Sequence, residues 1–424
     1  MTNRVVIYRA TTKQWLDFQE PYEVIRADHL SDVVPKLRRV DQMIRKHGMH
    51  AAGFISYEAA PAFDAALETR PPCSFPLLWF GLYGRPRVVE LSPTPAQPAY
   101  TLGEWAPSVS REAYEEAIAQ VKACIARGET YQVNYSFRLR APFEGEAWDL
   151  FLELVQAQQA DYTAYVDTER FTVCSASPEL FFTLDGNQLT GRPMKGTAAR
   201  GHTLVEDEKM AQWLHNSEKN RAENVMIVDM IRNDMGRVAV VGSVHVPSLF
   251  DVERYPTLWQ MTSTVKATST ASLPAIMNAL FPCASITGAP KARTMQIIRE
   301  LETTPRHIYT GCIGFVTPHR EAQFNVVIRT VLVDKEMGQA EYGTGGGIVW
   351  DSVTGDEYVE CQVKAKILTA KRGDFSLLET LLWAPDEGYF LLPYHLERLR
   401  DSATYFGIPV KENTVREELM GVSG

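Results

Sequence analysis

The sequence has few cysteines, and none lies in a pair typical of a metal or redox site. Six cysteines are spread over 424 residues. No two of them form a CxxC pair, which argues against a zinc site or a redox dithiol. Wide spacing in a large chain is typical of reduced, mostly buried thiols. We therefore expect the cysteines to be unpaired.

Long apolar runs and basic stripes are also missing. No apolar run reaches the roughly 18 residues that a membrane helix needs. Residues 1–10 contain no apolar stretch long enough for a secretory signal peptide. The formal net charge is −9, with acidic and basic residues mixed along the chain. We therefore expect a cytoplasmic protein with no membrane and no nucleic-acid partner.

Proline marks the first expected domain boundary. Four prolines lie among small and polar residues in the segment 91–110, which predicts a linker. This linker would separate an N-terminal subdomain (1–90) from a larger second domain (111–372). The last segment (373–424) has about 50 residues, too few to form an independent core of this kind. Strands and helices come in blocks, which favours an α+β fold with antiparallel sheet.

Hydrophobic periodicity predicts the main elements. Helices are predicted at Leu30 to His47, Arg111 to Arg127, Asp207 to Arg232, Leu273 to Leu280, Pro290 to Glu302 and Asp356 to Leu368. Strands are predicted at Phe171 to Ser175, Leu180 to Leu184, Ile313 to Val316, Phe324 to Val333 and Ile348 to Trp350. The glycine cluster from Gly343 to Gly347 is expected to join two strands.

Two predicted helices have acids in unexpected places. Glu223 falls in the most apolar sector of its helix, where a lone carboxylate is costly unless it is paired or bound to a metal. Glu360 shares a face with Glu357 and Lys364, flanked by apolar residues. The ordinary alternatives are a structural salt bridge for Glu223 and an exposed Glu–Lys pair at i, i+4 for Glu360. Magnesium takes one or two protein carboxylates, and Glu223 with Glu360 would suit it.

Three further features have both an ordinary and a functional interpretation. Glycines at 345–347 form a bend or allow backbone N–H groups to approach an anion. Thr287 precedes a predicted helix, whose N-terminus is a normal start and also an anion site. Lys195 beside a glycine is ordinarily a surface-loop residue, and it becomes a nucleophile only if its amine is buried and neutral.

Taken together, these motifs resemble the chorismate-utilising family. That family includes anthranilate, isochorismate and salicylate synthases and component I of aminodeoxychorismate synthase. The resemblance covers most of residues 110–368, with the motifs in family order and spacing. The motifs are Gln132 to Ser136, Ser177 to Glu179, Met194 to Thr197, Ala222 to Asn224, Arg232 to Asp234, Thr287 to Lys291, Tyr309 to Gly311, Ile328 to Thr330, and Gly345 to Gly347 through Glu360.

The resemblance implies a fold and a site. The fold would be α+β, with two packed antiparallel sheets and outer helices. Mg²⁺ would be held by Glu223 and Glu360, with Glu357 nearby, and would bind a carboxylate of chorismate. The substrate-binding residues implied are Tyr309, Arg329, Lys364, the amides of Gly345, Gly346 and Gly347, and Gly196, Thr197 and Thr287.

Lys195 indicates the subfamily, because aminodeoxychorismate enzymes typically have lysine where anthranilate and isochorismate synthases have alanine. The implied mechanism begins with Lys195 attacking ring C2, while Glu179 protonates the departing C4 hydroxyl. Ammonia, supplied by a glutamine amidotransferase partner, then adds at C4 and expels the lysine. The product would lead to 4-aminobenzoate and folate. The alternatives are anthranilate or isochorismate synthesis and a non-catalytic regulatory subunit that binds an aromatic ligand.

The chain departs from the family pattern at three positions. Gln260 stands where several relatives have a histidine, Asn220 where relatives often have a further acid, and Ala284 where many have glycine. The segment from Phe375 resembles the start of a pyridoxal-phosphate lyase, with residues 395–399 matching its early phosphate-site motif. The chain ends before that family's Schiff-base lysine, so a partial lyase-like domain is expected.

Overall fold

The computed structural model describes residues 2–95, 97–369 and 375–422. The domain boundary predicted at 372/373 therefore lies outside the described residues. The helices are α1 (Leu30–His47), α2 (Ala60–Phe63), α3 (Arg111–Ala126), α4 (Ala147–Gln158), α5 (Leu204–Asn216), α6 (Glu218–Gly236), α7 (Leu273–Leu280), α8 (Lys291–Leu301), α9 (Thr354–Ala365), α10 (Leu392–Phe406) and α11 (Glu412–Val422). No helix of these residues is long and apolar enough to cross a membrane.

The strands account for most of the central architecture. They are β1 (Arg4–Arg9), β2 (Gln14–Phe18), β3 (Glu23–Ala27), β4 (His50–Ile55), β5 (Leu78–Tyr83), β6 (Arg87–Val89), β7 (Tyr100–Leu102), β8 (Ala106–Pro107), β9 (Gln132–Gly145), β10 (Tyr162–Asp167), β11 (Phe171–Ser177), β12 (Leu180–Asp185), β13 (Gln188–Arg192), β14 (Met194–Ala199), β15 (His245–Arg254), β16 (Leu258–Thr268), β17 (Gly288–Ala289), β18 (Cys312–Val316), β19 (Glu321–Val326), β20 (Thr330–Asp334), β21 (Gln339–Ile348), β22 (Trp383–Ala384) and β23 (Gly388–Tyr389).

Two large sheets contain nearly all of these strands. The 11-stranded sheet has the order β17-β9-β21-β20-β11-β10-β1-β2-β6, with β7 and β8 also paired to β9. The 10-stranded sheet has the order β14-β16-β13-β12-β19-β18-β4-β5-β3, with β15 paired to β16. Neighbouring strands are antiparallel, as in the long β9–β21 pair and in β18–β19. The predicted α+β architecture of two antiparallel sheets with helices is confirmed.

The core between the sheets explains why they pack face to face. Val173 of β11 and Ile7 of β1 belong to one buried cluster with Phe54 of β4 and Phe315 of β18. Helices cover the outer faces. The apolar sides of α1, α6 and α7 pack on the 10-stranded sheet, and α4 packs on the 11-stranded sheet. Burial of alternating strand residues and of one stripe per helix stabilises this arrangement.

The described part of the predicted N-terminal subdomain, residues 2–90, does not form a sheet of its own. Strands β1, β2 and β6 extend the 11-stranded sheet, whereas β3, β4 and β5 form one end of the 10-stranded sheet. The proline-rich segment 91–110 contains β7 and β8, both paired to β9. Helix α1 has the predicted bounds and ends at Gly48, whose φ of 66° is the left-handed geometry that glycine favours.

Two predicted elements are each divided in the structure. The helix predicted at Asp207 to Arg232 is two helices, because Ser217 ends α5 and its hydroxyl accepts from the Asn220 N–H to cap α6. The strand predicted at Phe324 to Val333 is β19 and β20, which lie in different sheets. The chain turns between them at Arg329, where φ is +52°. An apolar run does not reveal which sheet each half joins.

The prediction that the glycine cluster joins two strands was wrong. Gly343 to Gly347 lie inside β21, which ends at Ile348, so the strand predicted at Ile348 to Trp350 does not form: Ile348 ends β21, and Val349 and Trp350 lie outside any strand. A side chain at Gly345 would meet the carbonyl oxygen of Tyr135 on β9 at 2.3 Å. Close approach of the neighbouring backbone is therefore the reason for glycine in this strand.

The C-terminal segment packs against α5. Helix α10 contacts α5, and the Tyr405 hydroxyl donates to the Gly201 carbonyl at 2.7 Å. The Arg200 guanidinium lies over the Tyr405 ring, 4.5 Å from its centroid. The resemblance of this segment to a lyase stays a prediction.

Candidate active site

A cavity of about 590 Å³ opens where the two sheets meet α6 and α9. It takes its walls from β14 of one sheet, β21 of the other, and both helices. The predicted site residues that line it are Glu179, Lys195, Gly196, Thr197, Glu223, Tyr309, Arg329, Gly345, Gly347, Glu360 and Lys364, with Glu357 beside them. Thr287 and Gly346 are not among the lining residues. Thr287 is fully buried, and its hydroxyl donates to the carbonyl of Ala284 at 3.2 Å.

An irregularity in β14 aims Lys195 into the cavity. The register of β14 with β16 shifts between Met194 and Thr197, and Gly196 has a φ of +97°. A bulge of this kind turns a side chain out of the regular alternation. The Lys195 amine lies against β21, since a side-chain carbon at Gly347 would be only 2.8 Å from Nζ.

Burial lowers the pKa of the Lys195 amine. The charge of Lys364 lowers it further, whereas the carboxylates of Glu223, Glu179 and Glu360 act in the opposite direction. A neutral amine is the form that can attack carbon. The surface-loop alternative for Lys195 does not describe this environment.

Glu179 is buried, and its environment favours the protonated form. Burial raises the pKa of its carboxyl to about 7, against hydrogen bonding from Ser285 and the charge of Lys195. Among the described residues its Oε1 atom has no hydrogen-bond partner. A carboxyl that is protonated near neutral pH and has an open oxygen is suited to give a proton to a bound group.

Helices α6 and α9 bring three carboxylates to one wall. Burial raises the pKa of Glu223 and of Glu357, and in both the charge of Glu360 adds to the effect. Lys364 lowers the pKa of Glu360 through an ion pair of 2.6 Å. The i, i+4 pair considered as the ordinary alternative is therefore formed, and it lies in the cavity wall with the Glu360 side chain 48% exposed.

The donor set fits a hard divalent cation. The charge of Glu360 raises the pKa of Glu223, and a cation between such oxygens relieves that repulsion. Within the described ranges, no group of three or more His, Cys, Asp or Glu side chains is placed to hold a metal by itself. Magnesium suits this arrangement, because it completes its shell with substrate oxygens and water.

Two cations, Lys364 and Arg329, also line the cavity that contains these acids. Lys364 donates from Nζ to the Gly345 carbonyl at 2.8 Å. Arg329 reaches Gln158 at 3.4 Å and also lines the cavity. The Tyr309 ring is fixed by the Arg138 guanidinium, 4.9 Å from its centroid. A substrate with two negative charges would therefore meet the positive charges of Lys364 and Arg329 in this cavity. It would also lie near Glu223 and Glu360, the carboxylates suited to a metal.

Some lining residues were not predicted. Lys219, Ser285 and Asn134 all face the cavity. Lys219 precedes Glu223 by one helical turn, and its charge acts on both Glu223 and Glu357. That i, i+4 spacing was the one sequence signal for it. Ser285 and Asn134 reach the cavity through tertiary packing alone.

Gln260 and Asn220 form hydrogen bonds with nearby backbone and side-chain groups. Gln260 donates to the Gly196 carbonyl at 2.8 Å and accepts from the Thr197 hydroxyl at 3.2 Å. The Asn220 amide donates to the Ser217 hydroxyl at 2.9 Å. Gln260 thus supports the irregular part of β14 that presents Lys195.

Two relatives found by sequence comparison have the same name. The aminodeoxychorismate synthase component 1 of Escherichia coli (strain K12) is 43% identical over 267 residues, covering 62% of this chain and 58% of that protein. The protein of the same name from Bacillus subtilis (strain 168) is 40% identical over 267 residues, covering 62% and 56%. The aligned part of the chain thus spans less than two thirds of the length of either relative.

A solved structure resembles most of this chain in its fold. Anthranilate synthase component I from Streptococcus pneumoniae superposes with a TM-score of 0.73 over 87% of this chain and 93% of that chain, at 23% identity. At that identity the likeness concerns the fold alone. The family model described as chorismate binding enzyme matches residues 3–370. Because this match extends over most of the chain, the protein belongs to the chorismate-binding enzyme family.

Proposed function

We propose that this chain acts as an aminodeoxychorismate synthase component I, a transferase that converts chorismate and ammonia to 4-amino-4-deoxychorismate. The single observation that supports this most is the position of Lys195. Its amine lies inside the cavity against Gly347, in surroundings that lower its pKa. The relatives that are 43% and 40% identical have this activity in their names.

Magnesium is the proposed metal, held by Glu223 and Glu360. When bound, it supplies positive charge that polarises and orients a substrate carboxylate. The Ser352 hydroxyl donates to Oε1 of Glu357 at 2.6 Å, so this carboxylate already has a partner within the chain. Arg329, Lys364 and Tyr309, with the backbone amides of Gly345 and Gly347, would bind the remaining substrate oxygens.

The chemistry follows from the two central side chains. The neutral Lys195 amine forms a bond to ring C2, the ring double bonds shift, and the C4–oxygen bond breaks. Glu179 gives its proton to the leaving hydroxyl, so that water departs. Ammonia then bonds to C4, the double bonds shift back, and the lysine amine is released from C2. The pyruvyl group stays in place.

Ammonia is proposed to come from a glutamine amidotransferase partner. The name "component 1" of the relatives fits a two-component enzyme. The product would lead to 4-aminobenzoate and folate. All six cysteines of the chain are free, which fits a reducing, cytoplasmic setting.

Anthranilate and isochorismate synthesis are the nearest rivals, since structural relatives include such enzymes. Both reactions place the incoming group at C2, where the Lys195 amine would lie. One assay separates the three. The chain is incubated with chorismate, magnesium and ammonium, and products are identified by mass spectrometry. Aminodeoxychorismate is expected, and anthranilate or isochorismate as the main product would reject the proposal.

A further inference from the structure

A second cluster of reactive side chains lies outside the chorismate cavity. Of the six cysteines, all of them in the described residues, Cys73 alone is exposed. It lies in the loop between α2 and β5, directly after two prolines. Its Sγ atom is 3.0 Å from Nε2 of His307. Neither Cys73 nor His307 lines the chorismate cavity.

A carboxylate fixes the other side of the histidine ring. Nδ1 of His307 is 2.9 Å from Oε1 of Glu341 on β21. Arg140 donates to the second oxygen, Oε2, at 2.9 Å, so Glu341 is held on both sides. A carboxylate on Nδ1 directs the other ring nitrogen, Nε2, toward the sulfur. The three side chains thus form one line of hydrogen bonds, in which Cys73 is the nucleophile, His307 is the base and Glu341 orients the imidazole ring.

The charges around this line favour a thiolate beside an imidazolium. Burial by itself would raise the pKa of Cys73, but the hydrogen bond and charge of His307, together with the Phe75 N–H, bring it below its ordinary value. Burial opposes the charged form of His307, but Cys73 and Glu341 raise its pKa well above the usual range.

The remaining charged groups near the line are few. Glu58 acts against the thiolate and in favour of the imidazolium. The Arg170 guanidinium is close enough to interact with the sulfur. Arg138 lies 4.0 Å from Glu341. The ring of Phe75 lies 6.0 Å from that of His307 and packs on Phe54 and Phe171, which keeps the loop in place.

We propose that Cys73 is a reactive thiolate that undergoes exchange with small disulfides, so that the chain has a site of reversible S-thiolation. The sulfur of Cys73 attacks one sulfur of RS–SR, a new S–S bond forms, and the old S–S bond breaks. The leaving RS⁻ takes up the proton of the His307 imidazolium. No other oxidant is required, and a second small thiol reverses the step.

The geometry favours this over an acyl-transfer site. Hydrolysis of an amide needs backbone donors aimed at a developing oxyanion and a pocket that holds the substrate. Here the neighbouring Phe75 N–H is directed at the sulfur itself, and the thiol is open to solvent. Small disulfides need only access and a thiolate.

The test uses the full native chain and the coloured disulfide 5,5′-dithiobis(2-nitrobenzoic acid). We expect one fast equivalent per chain at pH 7, roughly tenfold faster than a free unperturbed thiol. Mass mapping should place the adduct on Cys73. The rate of adduct formation should rise with pH, with a midpoint below the ordinary pKa of a thiol, about 8.5. A midpoint at or above that value in the native chain would overturn the proposal.

Three variants sharpen the test. Cys73→Ser should abolish the fast phase while aminodeoxychorismate formation from ammonium is unchanged. Cys124→Ser, a buried cysteine, is the matched control and should keep the fast phase. His307→Gln should slow the reaction at pH 7 and leave it nearly unchanged at pH 10. A fast phase that survives Cys73→Ser rejects the site. Glutamine hydrolysis that is lost in Cys73→Ser would replace the proposal with an acyl-transfer assignment.

Discussion

Lys364 and Glu360 form an ion pair of 2.6 Å one turn apart on α9, at the wall of the cavity between the two sheets. Both side chains are partly exposed, so the pair stabilises the fold by about 1 kcal/mol or less. Its position thus matters more for the cavity than for the stability of the helix.

Glu360→Gln tests the proposed metal site. The substitution keeps the volume and removes the charge, so the fold should remain intact. Turnover should fall about 10- to 100-fold, and the magnesium concentration needed for half-maximal rate should rise. A magnesium titration of the initial rate measures both. Glu116→Gln on the exposed face of α3 is the control. Unchanged activity of Glu360→Gln at low magnesium would remove Glu360 from the site.

Lys195→Ala tests the nucleophile. Incubation of the unaltered chain with chorismate and magnesium, but without ammonia, should leave a covalent adduct on the peptide that contains Lys195. Lys195→Ala should abolish the adduct and lower aminodeoxychorismate formation about a thousandfold, while chorismate still binds. Some C2-aminated, anthranilate-type product is expected, since ammonia can then reach C2.

Two controls accompany that experiment. Lys195→Arg should not restore activity, because a guanidinium stays protonated. Lys209→Ala, at an exposed position on α5, should behave like the parent chain. Near-normal rates in Lys195→Ala would make the lysine a spectator and remove the main support for the proposed reaction, while leaving the family assignment untouched.

Glu179 should give the reaction a descending pH limb. As general acid it must be protonated, and burial raises its pKa to about 7. The value of kcat/KM should therefore fall as the pH rises through about 7. Glu179→Gln should lower the rate about 10²- to 10⁴-fold and abolish this limb. A descending limb that persists unchanged in the variant would assign it to another group.

The same carboxyl links stability to pH. Its pKa in the folded chain, about 7, lies above its ordinary value of 4.5, so the folded form binds the proton more tightly. Its contribution to stability is complete below pH 4.5 and is lost as the pH rises through 7. Glu179→Gln should thus raise the free energy of unfolding at pH 8, by on the order of 3 kcal/mol at most. Urea unfolding at pH 5 and pH 8, with Glu116→Gln as reference, measures the difference.

Gly347→Ala tests the close contact between β21 and Lys195. The new carbon would lie 2.2 Å from Nε2 of Gln132 and 2.8 Å from Nζ of Lys195, so both side chains must shift. Turnover should fall about a hundredfold with little change in chorismate binding. Gly355→Ala is the control, since its new carbon meets nothing within 4 Å. Equal activity of the two variants would contradict the proposed position of the lysine.

The ammonia source gives a further prediction. The chain alone should aminate chorismate with ammonium salts and should not use glutamine. Glutamine hydrolysis needs an activated nucleophile with its own base and oxyanion hole, and at Cys73 the Phe75 N–H is directed at the sulfur itself. Glutamine-driven turnover should appear on addition of a glutamine amidotransferase component. Glutamine use by the highly purified chain would contradict this division of labour.

Local patterns in the sequence were enough to predict the helices whose ends are marked by a capping residue. Helix α1 ends where Gly48 provides a left-handed residue, and α7 has the predicted bounds, with Ser272 capping its first turn. The resemblance of the motifs then predicted the two-sheet fold, and eleven of the predicted site residues line one cavity. Spacing within each helix made Glu223 on α6 and Glu360 on α9 candidates, because a helical wheel fixes which residues share a face.

Tertiary structure alone decided how distant segments meet. The split of residues 324–333 between two sheets depends on which strands each half pairs with, and this split places Arg329 at the cavity. Gly345 is explained by the nearness of β9 and Gly343 by the ring of Tyr309, and no local pattern encodes either contact. Cys73, His307 and Glu341 are separated by 234 and 34 positions along the chain, yet they form one line of hydrogen bonds. Periodicity reports the faces of single elements, whereas contacts between elements depend on the packing of the whole chain.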